Sequence, residues 1–143
     1  MKKGIWIGLM VLIATACGDP KQEVVDNLRN EAIDLHDEVM PRMGEIMTLS
    51  SQLKDLREEM RNDSVDSATL AMEPYSDQIV ALEAAHEGMM QWMADYEPDY
   101  DKEHPLDSAV VYYEAQRASI VQVKEDIEQS IEKAIEIKKN AGN

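Results

Sequence analysis

Phenylalanine is absent from all 143 residues, and there is a single cysteine, Cys17. One cysteine cannot close an intrachain disulfide, so stability has to come from packing. Glycine is scarce, at six residues, and the chain holds no G-x-S-x-G, no H-E-x-x-H and no phosphate-cradling glycine loop. Together with a helical pattern, these absences point away from an enzyme. Basic residues are also few, 14 against 29 acidic ones, for a net charge of −15. So negative a chain repels nucleic acid and anionic headgroups, both of which need a basic surface. The one long apolar run, Ile5 to Ala16, is about a dozen residues, too short to cross a hydrocarbon core of roughly 30 Å as a helix.

That run has a different meaning. It follows Met1-Lys2-Lys3 and ends in the small residues Ala14-Thr15-Ala16, directly before Cys17. A charged start, a short apolar stretch and a small-residue cut site describe a secretory signal. Ending at a cysteine, it resembles the lipobox of bacterial lipoproteins, with Ala14 where that family usually carries leucine. The resemblance implies that signal peptidase II removes residues 1–16 and that diacylglycerol is attached to the Cys17 thiol. Residues 17–143 would then form one lipid-anchored domain facing the periplasm. An ordinary signal peptide with an incidental cysteine, or an uncleaved anchor helix, are the alternatives, but either leaves a reactive exported thiol unexplained. Diacylation plus N-acylation would hold the protein stably on a bilayer. Loss of Lys2 and Lys3 takes the basic count from 14 to 12 against 29 acidic residues, and the charge from −15 to −17. Gly18 stands where some bacteria place an aspartate that retains lipoproteins in the inner membrane, which favours the outer membrane.

The mature part reads as helix almost throughout. Asp19 is placed to cap a helix with Pro20 at its first position and Gln22 reaching back as capping-box partner. A three-four spacing then runs Val25, Leu28, Ala32, Leu35, Val39, Arg42, Ile46, Leu49, Leu53, Leu56, Met60, a helical seam and not a strand alternation. Because the seam keeps its phase across Pro41, the spacing predicts a kink there and not a break. The cluster Asn62–Ser67 is a turn signal. A second seam follows: Ala68, Met72, Tyr75, Ile79, Leu82, His86, Met89, Met93, Tyr96, with Pro74 leaving the start of its helix open. Glu97 to Leu106 reads as a solvated acidic loop. Asp107 is placed to cap a third helix carrying Val110, Tyr113, Ile120, Val123, Ile127, Ile131, Ala134 and Ile137. The expected fold is all-α, an up-down-up antiparallel three-helix bundle after a cleaved signal peptide. Full breaks at Pro41 or Pro74 would give four helices instead. The segments His36–Gly44 and Gly88–Met93, with the lipobox, resemble small helical lipoproteins of Gram-negative bacteria, a likeness that brings no established activity.

Methionine is the surplus residue, eight in the mature part. His36, Met40, Met43 and Met47 form a stripe on the first helix; His86, Met89, Met90 and Met93 lie on the second. A turn centred between Ser64 and Val65 would set His36 opposite Met93, Met40 opposite Met89, and Met43 opposite His86. Thioether and imidazole suit Cu(I) and Ag(I), so His36, Met40, Met43, His86, Met89 and Met93 are a candidate soft-metal cluster, with Trp92 beside it. The competing reading is plain packing, since methionine at helical spacing is common core filler. A b-type haem lacks large apolar walls here, and covalent haem lacks C-x-x-C-H. The alternating acids from Asp95 to Glu103 miss the glycine and glutamate of an EF-hand. The function expected is a non-catalytic binding or interaction module, its acidic surface meeting a basic protein partner. A periplasmic Cu(I)/Ag(I) carrier or buffer is the alternative.

Overall fold

The computed structural model describes residues 19–63 and 68–141, so the leader, Cys17 and the turn centre lie outside the described residues. The described chain is all-α. Its elements are α1 (Pro20–Val39), a 3-10 turn (Met40–Arg42), α2 (Met43–Asp63), α3 (Ala68–Asp95), the short α4 (Tyr100–Glu103) and α5 (Leu106–Ala141).

Asp19 caps α1 as expected: its side chain accepts from the Lys21 backbone N–H at 2.9 Å, with Pro20 at the first helical position. Gln22 does not complete a capping box. Its amide donates to Asp26 Oδ1 at 3.1 Å and to Asp101 Oδ2 at 3.2 Å. At Pro41 the backbone never leaves the helical region, with Val39, Met40 and Met43 at ψ −23°, −39° and −37°. Proline has no N–H to give, so the ladder tightens for one turn and the Met43 N–H bonds Met40 O. The apolar seam continues through the turn, because Val39, Met43 and Ile46 share one buried cluster. Met43 takes the core slot; Arg42, the seam's polar position, turns outward to Glu45 at 2.8 Å. α3 likewise runs on through Pro74, from Ala68.

The helices are held in a fixed register. Four side-chain pairs link α1 and α2 to α5: Lys21–Asp107, Glu31–Arg117, Glu38–Lys124 and Gln52–Lys138. Each pair is separated by 86 residues. The partners' numbers therefore rise together on both sides of the 3-10 turn. Residues 31, 38 and 52 are spaced by multiples of seven, the repeat that keeps one helix face on its neighbour. Between α3 and α5 the order is opposite: Gln78 donates to Ser130 O at 2.7 Å, and Trp92 Nε1 donates to Gln116 O at 3.1 Å. Both of these partners are backbone carbonyls, reached by side chains that are themselves buried.

Two corrections concern the connection before α5. Asp107 lies inside the helix and not at its cap; the first turn is closed by Ser108 and Ala109 N–H groups on Pro105 O, at 2.9 and 3.0 Å. Nor is the acidic loop uniformly solvated. Asp101, on α4, has a side chain only 8% exposed. It accepts from Arg29 Nη1 at 3.0 Å, Tyr113 Oη at 3.1 Å and the Gln22 amide. Burial pushes the Asp101 carboxyl up, but the bonds from Gln22 and Tyr113 and the Arg29 charge outweigh it, leaving the pKa below the ordinary value. One carboxylate thus ties α1, α4 and α5 together.

Asp101→Ala is expected to cost about 2 kcal/mol in urea unfolding, the scale of hydrogen bonds to a charged group. A depressed carboxylate pKa stabilises fully above the unfolded value and loses that contribution as pH falls through the folded one. The gap between wild type and variant should therefore hold from pH 7 to about 4 and narrow below it. A gap that stays constant into strong acid would contradict this role.

Candidate functional site

The six expected metal ligands do not share one environment. Met43 and Met89 are core residues, 8% and 0% exposed, in the cluster that also holds Ile46, Leu82 and Ile120. Met93 packs against the same cluster from its edge. Met40 is exposed on the 3-10 turn. His36 has its ring 5.6 Å from that of Trp92 and Nδ1 2.9 Å from Asp37 Oδ1. His86 sits elsewhere, in a groove between α2 and α3.

For His86 the shift of neighbours has a simple origin. α2 continues to Asp63 and α3 starts at Ala68, so the midpoint of the connection falls later than the expected one between Ser64 and Val65. His86 consequently shares its groove with Met47, one turn beyond Met43. His36 gains Trp92 as its ring neighbour. Trp92, assigned by the sequence to the surroundings of the cluster, is itself 5% exposed and belongs to the core.

The groove has a volume of about 420 Å³ and is lined by Ile46, Met47, Ser50, Lys54, Glu83 and His86 among others. Lys54 and Glu83 bridge its rim with an ion pair of 2.7 Å. Its floor is apolar, through Ile46. Two polar groups in it have no partner among the described residues. Ser50 is 5% exposed and its Oγ makes no hydrogen bond. His86 is half-buried and, among the described residues, makes no hydrogen bond, ion pair or ring contact. The other two histidines are both engaged: His36 as above, and His104 stacked on Tyr100 at 3.8 Å with Nδ1 3.0 Å from Tyr100 O. A buried hydroxyl without a partner carries an unpaid desolvation cost of about 1–3 kcal/mol, which a bound group could relieve.

Sequence reasoning found His86 and the Met47 stripe but not Ser50, because an isolated serine in a helix has no signal of its own. It also missed a ring chain at the far end of the molecule. Trp92 stacks on Tyr96 at 4.8 Å, Tyr96 lies 6.4 Å from Tyr113, and Tyr112 stacks on Tyr100 at 4.1 Å. Tyr112 and Tyr113 join these into one group, with centroids 5.1 Å apart. Desolvation, reinforced by the neighbouring tyrosines, pushes the Tyr96 phenol up to about 12, and its hydroxyl is buried without a partner. A phenol whose folded pKa is raised contributes stability that is present below its unfolded pKa and lost as pH climbs toward the folded one. Alkaline unfolding should accordingly set in between about pH 10 and 12.

The two kinds of methionine should separate on truncation. Met89→Ala is expected to cost about 2–5 kcal/mol, as a buried side chain leaving a cavity. Met47→Ala, at a residue 59% exposed, should fall within about 0.5 kcal/mol of wild type. Met43→Leu should stay within about 1.5 kcal/mol. Equal losses at Met47 and Met89, read by thermal or urea unfolding, would contradict the placement. No known protein family, curated protein or solved structure matches the chain.

Proposed function

We propose that the protein is a membrane-anchored, non-catalytic lipoprotein of the cell envelope, acting as a binding or interaction module. In this reading residues 1–16 are removed and lipid on Cys17 holds an up-down-up antiparallel three-helix bundle against the membrane. The bundle faces the periplasm, with the outer membrane favoured. No helix among the described residues is long and apolar enough to cross a membrane, so attachment by lipid is consistent with them.

The observation that carries the binding role is the α2–α3 groove, which brings together a hydroxyl and an imidazole that have no partner among the described residues. The acidic exterior supplies the second half of the reading. With residues 1–16 removed the net charge is −17, from 12 basic and 29 acidic residues, and such a surface draws basic partners and repels anionic ones, an attraction that salt weakens.

A second reading, a periplasmic Cu(I) or Ag(I) carrier or buffer, is favoured by one observation, the free imidazole of His86 beside the Met47 thioether. The six-residue form of that idea is weakened by the burial of Met43 and Met89, which would have to leave the core to reach a metal.

Mass spectrometry of membrane-extracted protein is expected to show a chain beginning at Cys17 and carrying acyl chains. An intact leader, or a bare thiol on secreted material, would remove the anchored reading. Cross-linking in intact envelopes is expected to capture a basic protein, with capture falling as salt is raised. Capture indifferent to salt would refute the electrostatic part.

A further inference from the structure

We infer that the α2–α3 groove is a site for one soft monovalent cation, Cu(I) or Ag(I), held by the Met47 thioether and the His86 imidazole with Met90 as third ligand. This rests on the soft-metal reading above and changes its ligands.

Four features of the groove converge on it. Met47 and His86 line the same recess from opposite helices, one thioether and one imidazole. Met90 follows His86 by one helical turn, which sets the two side chains on one face, and it is 45% exposed. Met47 is likewise exposed, at 59%, so both sulfurs can reach a ligand without disturbing the core. Methionine is a residue that normally fills interiors, and here Met47 lies open in the groove and Met90 lies open one helical turn beyond His86. Among the described residues His86 has no competing partner, which leaves its ring nitrogens uncommitted.

The donor set decides which metal. Thioether sulfur is a soft ligand that selects Cu(I), whereas Zn²⁺ and Mg²⁺ need thiolates, several imidazoles or carboxylates. Among the described residues no three His, Cys, Asp or Glu side chains are grouped to hold a metal, so the groove offers those ions little. Glu83 and Glu87 on the rim, against Lys54 alone, leave the recess with an excess of negative charge that favours entry of a cation. Ser50 Oγ, buried and unbonded at the same place, can turn a lone pair toward the bound ion or toward a water on it.

The test is an anaerobic titration of the full chain in detergent with Cu(I) against a chromophoric competing chelator. Cys17→Ser is introduced throughout, so that no thiolate takes the metal. One equivalent is expected to bind. Met47→Leu and His86→Gln should each weaken binding at least tenfold, and the double variant should abolish it, with helical circular dichroism unchanged. His36→Ala with Met40→Leu should bind as tightly as the parent. Titration with Ag(I) should move the methyl resonances of Met47 and Met90 in methionine-labelled protein and leave those of Met43 and Met89 in place. Two results overturn the inference and are distinguishable. Failure of the parent to bind any Cu(I) removes the soft-metal reading altogether. Tight binding that survives the Met47 and His86 changes but is lost with His36 and Met40 keeps that reading and overturns this ligand set.

Discussion

The structure depends on the alignment of α5 with the α1–α2 arm. The four links of equal sequence separation are individually weak, since exposed ion pairs contribute between zero and about 1 kcal/mol. Their value lies in agreement. A slide of α5 by one turn would break all of them together and would also lift Ile120, Ile127 and Ile131 out of the interior. Because three of the four donors are cations of α5 reaching acids or an amide on the arm, a displaced register would set α5 cations against different neighbours. Apolar burial supplies the stability, and the charges choose among the ways of achieving it.

α3 is fixed differently, by polar side chains reaching into α5. Gln78 and Trp92 each donate to a carbonyl already within a helix, and Ser130 returns its own hydroxyl to Ile127 O at 2.9 Å. These contacts hold α3 on α5, while its other flank packs along α2, where the groove opens. Its opening coincides with small polar side chains, Ser50 and Ser51, where larger apolar residues would have closed the seam.

Much of the helical order was legible in the sequence because a single physical pattern, the three-four apolar spacing, dominates it. Val25, Ala32, Val39, Ile46, Leu49 and Leu53 are all buried as that spacing requires. Pro41 and Pro74 misled less than their propensities suggest, since neighbouring contacts carry the helix across a missing N–H. The positions that escaped were those decided by partners distant in sequence. Asp101 looked like one more surface acid until Arg29, 72 residues away, was placed against it. His86 occupied an apolar seam position, yet Ala85 is the residue that enters the core, because the connection is centred later than the assumed turn. A pairing drawn by counting outward from a turn inherits any error in its centre, and a shift of even one residue turns a helix face by about 100°.

The Lys21–Asp107 contact has a geometric corollary. Lys21 at the start of α1 meets Asp107 at the start of α5 and Gln22 reaches Asp101 on α4, so on the proposed anchored reading the lipid lies toward that end. Met47 lies 27 residues beyond Pro20, which at 1.5 Å per residue raises it about 40 Å along the axis. Electrostatic influence of lipid headgroups fades over about 8 Å at physiological ionic strength. If the anchored reading holds and the axis stands away from the membrane, a ligand seated there would lie several such lengths above the headgroups.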